Sequence, residues 1–540
     1  MRRWIRRRPI FLLTATLLAT ACGPPATDTT PGIIPFSIVP ASVFVTSPEL
    51  LALGKTTFDK ECAACHGAAG NGEGEAAYLL YPRPRDFTSG QFRIVSTWDG
   101  LPTDEDLFRT ISRGMPGSAM PSWAHLSEET RWGLVHYVKT FSTRPFALKA
   151  SKEPDHFGSG GAGVVTVPPE PAYDEGGQAR ARELFAKGCA PCHGATARGD
   201  GAQKQVDSKG YATRPRDLTL GVFKGSPEPD QVYRRIVAGL PGSPMPQSGY
   251  LQGNDGWHLT HFVRSLSSDA QRQKVEMNKF RIVAARVATL PTNPDAGTWR
   301  SATPINLHMM PLWWRTDRPE EITVRALHDG TSLAVLLKWE DGSRDETAIR
   351  PQDFRDAAAV EFGLTPDPPF FAMGQPGAPV NIWMWKSERQ ADLQPVFQDL
   401  EKVYPNIGID SYPNSARSPL EQPMRNALTL DSNPAFVTAW GAGNIVADPT
   451  RRSAAEDLTA QGFGTLRAHP MKDQTVEANG VYATGSYQVQ FKRTFAGSGA
   501  TIRLAPGARV PVAFAVWNGS AGDRDGKKSV TIWQELVLEK

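Results

Sequence analysis

Cys62-Ala63-Ala64-Cys65-His66 constrains this chain more than any other stretch, because the same device returns as Cys189-Ala190-Pro191-Cys192-His193. C-x-x-C-H is the attachment signature of c-type haem. Two thiols at this spacing form thioethers to the two vinyl groups of one porphyrin, and the adjacent His offers an imidazole to the iron. A bare C-x-x-C also suits half a zinc site or a redox dithiol. Zinc needs clustered partners, yet the one further cysteine is Cys22, near the N-terminus. A redox dithiol has no need of a following His, and here both motifs have one. The pattern predicts two covalent haems, with His66 and His193 as proximal iron ligands.

A chain of 540 residues, 40% hydrophobic and 21% charged, has room for three or four globular domains. Its formal charge of +3 sits at the start: residues 1–21 hold five arginines and no acid, and without them the balance is −2. That leaves no electrostatic case for nucleic-acid binding. The arginines, the apolar run Ile10–Ala19 and then Thr20-Ala21-Cys22 read as an export signal over 1–21. The run is too short to stay in a bilayer as a spanning helix. Leu18-Ala19-Thr20-Ala21-Cys22 resembles a bacterial lipobox, in which Cys22 is lipidated; Ala19-x-Ala21 also suits ordinary signal peptidase at the same bond. Four cysteines go to haem and the fifth stands at the cleavage point, so a lipid anchor on the periplasmic side is expected. Residues 22–47, rich in Pro and Thr, read as a tether.

The two motifs head an internal repeat. Arg83-Pro84-Arg85-Asp86-Phe87-Thr88 matches Arg214-Pro215-Arg216-Asp217-Leu218-Thr219, and Arg113–Pro121 matches Ala238–Pro246. Trp132-Gly133-Leu134-Val135-His136 likewise matches Trp257-His258-Leu259-Thr260-His261. Each copy forms one small all-α domain, 48–142 and 174–267, with a Gly- and Pro-rich linker over 143–173. Met115 and Met120 both suit a distal ligand of the first haem, but the Met115 position becomes Leu240 while Met120 persists as Met245. A ligand must recur in both copies, so Met120 and Met245 are chosen, with His136 and His261 as the competing sixth ligands. Two readings stay open for the Arg-Pro-Arg-Asp loops. They are either braced by internal ion pairs, or Arg85 and Arg216 face haem propionates.

On these residues each copy resembles a class I cytochrome c domain. The resemblance implies His/Met ligation and one-electron transfer without substrate chemistry. A thioether ligand favours ferrous iron and raises the potential.

After about residue 280 apolar alternation replaces helical spacing. Ile322–Leu327 and Leu333–Trp339 flank an Asp329-Gly330 turn, a hairpin signal. Further strands are expected at Ala357–Phe362, Val380–Trp385, Tyr487–Phe491, Val510–Trp517 and Val530–Leu538, with long loops across 386–480 and a short helix near 454–460. Many short strands without cysteine predict an all-β sandwich over 280–540. Trp339-Glu340-Asp341, Phe354–Phe362 and Met373–Lys386 are similar to the haem-binding γ subunit of the ethylbenzene dehydrogenase and dimethylsulfide dehydrogenase group. That resemblance implies a b-type haem held between a Met and a Lys, here Met373 and Lys386, with Met309, Met310, Met384, His308 and His328 as substitutes. A lysine binds iron only when neutral, so its site must lower its pKa.

The expectation is a periplasmic electron-transfer subunit with two c haems and one b haem. It would pass single electrons between a molybdenum oxidoreductase with an iron–sulfur subunit and other cytochromes. The rival reading keeps the two c haems but makes the sandwich a carbohydrate- or partner-binding module without a third haem. An enzyme in its own right would need an open coordination position.

Overall fold

The computed structural model describes residues 32–34, 37–144, 146, 163–368, 373–393, 403–407, 453–497 and 501–540. The expected export segment, Cys22 and much of the 386–480 region lie outside the described residues.

The first repeat copy holds α1 (Pro48–Glu61), α2 (Ala63–His66), α3 (Asp104–Arg113) and α4 (Glu128–Thr140). Ser47 caps α1, its Oγ accepting the Leu50 N–H at 3.1 Å, and Pro48 takes the first helical position. α1 and α4 cross where neither carries a side chain: a β-carbon on Gly54 would lie 2.1 Å from the Gly133 carbonyl oxygen. Backbones this close demand glycine. The crossing buries Phe58, whose ring packs on Phe87, Tyr137 and Phe141.

The second copy repeats the plan with α5 (Glu175–Leu184), a π-helical turn Phe185–Cys189, α6 (Ala190–His193), α7 (Pro229–Ala238), α8 (Asn254–Ser265) and α9 (Asp269–Lys274). It adds a two-stranded ribbon, β1 (Gln205–Val206) with β2 (Ala212–Thr213). A strap of preceding chain crosses α4 in the first copy and α8 in the second. The Trp132 indole N–H donates to Ser42 O at 2.8 Å, and the Trp257 indole N–H to Pro168 O at 2.9 Å.

Strands β3 (Arg281–Arg286), β4 (Ile305–His308), β5 (Met310–Pro311), β6 (Glu321–His328), β7 (Ser332–Glu340), β8 (Ala357–Gly363) and β9 (Val380–Lys386) begin the last domain. After α10 (Ser387–Ala391) come β10 (Ala455–Ala460), β11 (Arg467–Ala468), β12 (Glu477–Ala483) and β13 (Ser486–Thr494). β14 (Arg509–Trp517), β15 (Ser529–Val530) and β16 (Gln534–Leu538) complete it. The ladder runs β11-β10-β9-β8-β14-β16-β3-β6-β7-β13-β12, antiparallel except where β3 joins β16 and β6. It curls into a sandwich: a β-carbon on Gly480 of β12 would meet the Trp385 ring of β9 at 2.3 Å, and Trp339, Trp385 and Tyr487 fill the core between the layers. The predicted hairpin is β6–β7, its turn closed by Asp329 Oδ1 accepting the Thr331 and Ser332 N–H groups.

Two local expectations fail. The strand expected at Val530–Leu538 is two, β15 and β16, broken at residues 531–533 where Thr531 N–H turns to Phe514 O. The helix foreseen near 454–460 is strand β10, although its Ala, Glu and Leu are helix formers. β10 pairs with β9 along six residues and with β11 on its other edge, and nearly every side chain in it is buried. Tertiary pairing overrides a weak local preference.

The first copy and the sandwich share one core, in which Met277, Met310, Leu312, Val530 and Ile532 pack with the buried side chains of the first copy. Tyr81 extends the contact through its backbone, bonded to Leu312 and Trp314. The two cytochrome-like copies meet through ion pairs, among them Arg93–Asp207 at 3.1 Å and Lys209–Asp86 at 2.8 Å, and through a smaller apolar contact in which Trp98 packs on Tyr233 and Trp257. Among the described residues no helix is long and apolar enough to cross a membrane.

Candidate cofactor sites

Cys62 caps and Cys65 lies within the single turn α2, which is closed by Gly67 with φ +76°. A β-carbon there would strike Asn71 Oδ1 at 2.3 Å, so the chain can turn back under the motif only at glycine. Cys189, Cys192 and Gly194 (φ +79°) repeat the turn. His66 Nδ1 lies 2.9 Å from Arg85 O, which fixes the ring and leaves Nε2 for a metal. Burial pushes the His66 imidazole down to about 4, so its lone pair is available near neutral pH. Burial also lowers His193, beside the Arg216 carbonyl. Burial raises the Cys62 thiol and pushes Cys65 up to about 12, the reverse of an activated redox dithiol. Among the described residues no cluster of three His, Cys, Asp or Glu is placed to hold a metal, so the zinc reading lacks ligands.

Opposite each histidine stands the same loop. Met115 N–H donates to Met120 O and Leu240 N–H to Met245 O, both at 3.0 Å. Met120 lines the His66 cavity and Met245 the His193 cavity. Met115 lines the first cavity as well. The second cavity measures about 420 Å³; the first is split into spaces of about 160 and 60 Å³, where Phe87 and Met115 replace Leu218 and Leu240. His136 and His261 face away from both. His136 Nε2 lies 2.8 Å from Phe44 O, and His261 sits against Tyr173 with Glu170 3.3 Å away. They hold the straps, which explains why both recur.

The Arg-Pro-Arg-Asp loops are not braced by their own arginines. Asp86 and Asp217 each accept from the Thr two residues on, at 2.9 Å from the N–H and 2.6 Å from the hydroxyl. Arg85 and Arg216 line the first cavity.

A third cavity, about 680 Å³, lies between the sandwich and the first copy. Its floor is the outer face of β8, β9 and β14, where the small side chains of Ala357, Ala359 and Ala515 leave room beside the buried Glu361 carboxyl. Met373 and Lys386 both line it, at different ends. Lys386 ends β9, six residues or about 20 Å of strand from Val380, and its Nζ lies 3.6 Å from Glu456. The amine beside Met373 is Lys528, with Nζ 3.8 Å from Met373 Sδ. Burial lowers the pKa of buried Lys528, with the neighbouring Glu361 carboxylate opposing it, and burial lowers Lys386 as well, so both meet what a ligating amine requires. Met373 itself has φ +144°, a strained backbone for a residue with a β-carbon, held by the Gly462 N–H on its carbonyl. His308, His328, Met309 and Met310 do not line this cavity; Met384 does. The resemblance matches Lys386; Lys528 stands two residues before the strand expected at Val530, outside every segment that carries the likeness.

A family model for ethylbenzene dehydrogenase matches residues 297–529, one for cytochrome c oxidase, cbb3-type, subunit III matches 49–138, and one for cytochrome c matches 178–267. Dimethylsulfide dehydrogenase subunit gamma of Rhodovulum sulfidophilum is 27% identical over 256 residues, 45% of this chain and 73% of that protein. Chlorate reductase subunit gamma of Ideonella dechloratans is 23% identical, over 45% of this chain and 78% of that protein. A reducing HAO-like protein complex from Kuenenia stuttgartiensis contains a chain 34% identical to this one, matched over 43% of this chain and 99% of that chain with a TM-score of 0.36.

Proposed function

We infer that this chain, which is two cytochrome c domains joined to an ethylbenzene dehydrogenase-type domain, relays single electrons between a redox enzyme and other cytochromes outside the cytoplasm. The enzyme is a molybdenum oxidoreductase with an iron–sulfur subunit, by analogy with the gamma subunits the chain resembles, and it docks at the sandwich. Cys22 carries the lipid that keeps the chain at a membrane surface.

Three cavities in series carry this reading. Cys65, Leu80 and Ala119 line both the sandwich cavity and the first c-haem cavity. Arg216 and Lys224 line both c-haem cavities. In this assignment Met373 and Lys528 hold a b haem, while His66 with Met120 and His193 with Met245 hold the c haems. With these residues as its ligands, bound haem iron would supply one-electron exchange rather than substrate chemistry. The protein side chains orient the ligands, exclude water and fix the spacing.

A pyridine haemochrome spectrum after acid–acetone extraction tests it. Two retained c haems and one extractable b haem are expected. Met373→Ala and Lys528→Ala should each lose the extractable haem, whereas Lys386→Ala should keep it. Two c haems with no b haem, after expression with ample haem, would sink the third site and favour the sandwich as a carbohydrate- or partner-binding module.

A further inference from the structure

The boundary between the two cytochrome c domains is crowded with positive charge. Arg85 and Arg93 come from the first domain, Arg216 and Lys224 from the second, and all four line the first haem cavity. Arg93 has a carboxylate partner in Asp207. Among the described residues, no Asp or Glu lies within ion-pair distance of Arg85, Arg216 or Lys224. Arg216 is 8% exposed, and its Nε is buried with no hydrogen-bond partner. Its other nitrogens donate across the boundary, Nη1 to Gly117 O at 2.8 Å and Nη2 to Pro116 O at 3.4 Å, in the loop that presents Met120. The reciprocal approach is present too: a β-carbon on Gly242, in the Met245 loop, would lie 3.3 Å from Arg85 Nη1. Each domain therefore sends the arginine of its Arg-Pro-Arg-Asp loop to the methionine loop of the other.

Buried like charges without counter-ions are costly, so such a group implies an anion. Burial and the neighbouring guanidinium groups push Lys224 well below the ordinary lysine range. The same burial, with Arg318 and Arg93 nearby, brings Arg216 down to about 10. Each c haem brings two propionate carboxylates, and a guanidinium pairs with carboxylates through two parallel hydrogen bonds.

We propose that Arg216 and Lys224 form a cationic partition common to both c-haem cavities, which receives propionates from both haems and ties their reduction potentials together. This goes beyond a propionate contact within one domain. It rests on the relay reading only for the two covalent haems. Removing a partition charge leaves the propionates less neutralised, which favours ferric over ferrous iron at both sites.

The test is a spectroelectrochemical titration of the full-length holoprotein. The two c waves are first assigned with Met245→His, which lowers the second-domain wave. Lys224→Gln and Arg216→Gln should each lower both c waves, with at least a tenfold fall in the one-electron reduction constant, or about 59 mV. Arg216→Lys should restore much of the shift. Arg214→Gln, which alters the second cavity alone, should move only the second wave. Lys224 makes no hydrogen bond among the described residues, so its variant remains informative should Arg216→Gln misfold. A shift confined to the second wave, or no shift in either, overturns the partition. A haemochrome count below two covalent haems in the unaltered protein instead overturns the relay reading.

Discussion

The two cytochrome c domains share their motifs, their methionine loops and their straps, yet they occupy different environments. In the first, residues 121–124 after Met120 are all buried, and the loop is enclosed by the sandwich and by Arg216 of its twin. In the second, Pro246 and Gln247 after Met245 are exposed, as is Pro191 within the attachment motif. One domain sits inside the series of cavities and the other at its open end. A repeat shows where cofactors attach. It says nothing about which copy meets the outside, because that depends on apolar neighbours such as Leu312 and Ile532, supplied by a distant part of the chain.

The largest effect should come from cutting the series at either copy. Cys62→Ala with Cys65→Ala removes half of the c-haem absorbance and disconnects the second domain from the sandwich. Cys189→Ala with Cys192→Ala removes the same absorbance, but on the proposed relay exchange between the sandwich site and the first c haem survives. Stopped-flow reduction distinguishes the two, and identical kinetics would erase the distinction between inner and outer copies. Next, Gly54→Val should destabilise the first domain by about 3 kcal/mol or more, since the crossing with Gly133 has no space for a side chain. At the equivalent Ala181, Ala181→Gly should cost only about 1 kcal/mol. Urea titration measures both.

A pH effect belongs to the sandwich. Burial first, then the Asp341 charge, pushes Asp356 up to about 7, and burial brings Asp341 to about 6. Both carboxyls hold protons in the folded state that the unfolded chain has released. Their contribution is full below the ordinary carboxylate range, about pH 4, and is lost as pH rises through 6 and 7, each unit of displacement being worth about 1.4 kcal/mol. The urea midpoint followed by tryptophan fluorescence should therefore fall between pH 5 and pH 8. A midpoint that rises over that span would contradict the burial of these groups. The smallest effect is expected for Lys209→Ala. Its ion pair with Asp86 joins the two copies but is half exposed on the lysine side, so it should cost less than about 1 kcal/mol and fade with salt.

Local chemistry was legible in the sequence, and long-range company was not. The Ser47 cap, the Asp329-Gly330 hairpin and the Met-Pro loops follow from patterns spanning a few residues. The repeat separated Met120 from Met115 because it compared two local contexts. The partner of Met373 lies 155 residues away. Nothing near Lys528 distinguishes it from Lys527 except which side of the chain faces the cavity. Arg216 was read as serving its own domain, and its hydrogen bonds run to carbonyls about a hundred residues upstream. The recurrence of His136 and His261 was visible, but its cause was strap binding, which a repeat cannot separate from ligation. β10 was misjudged for the related reason that its composition is helical while its partners are strands.

The core shared by the first cytochrome c domain and the sandwich has an evolutionary consequence. A recombination event that separated them would expose Met310, Leu312 and Ile532 on one side and their apolar partners on the other, and both fragments would tend to aggregate. The second domain, joined by ion pairs, hydrogen bonds and the smaller Trp98 contact, could be lost, exchanged or duplicated with less damage. Diversity among relatives of this chain should therefore gather at the outer cytochrome, where a new redox partner can be adopted without rebuilding the inner unit.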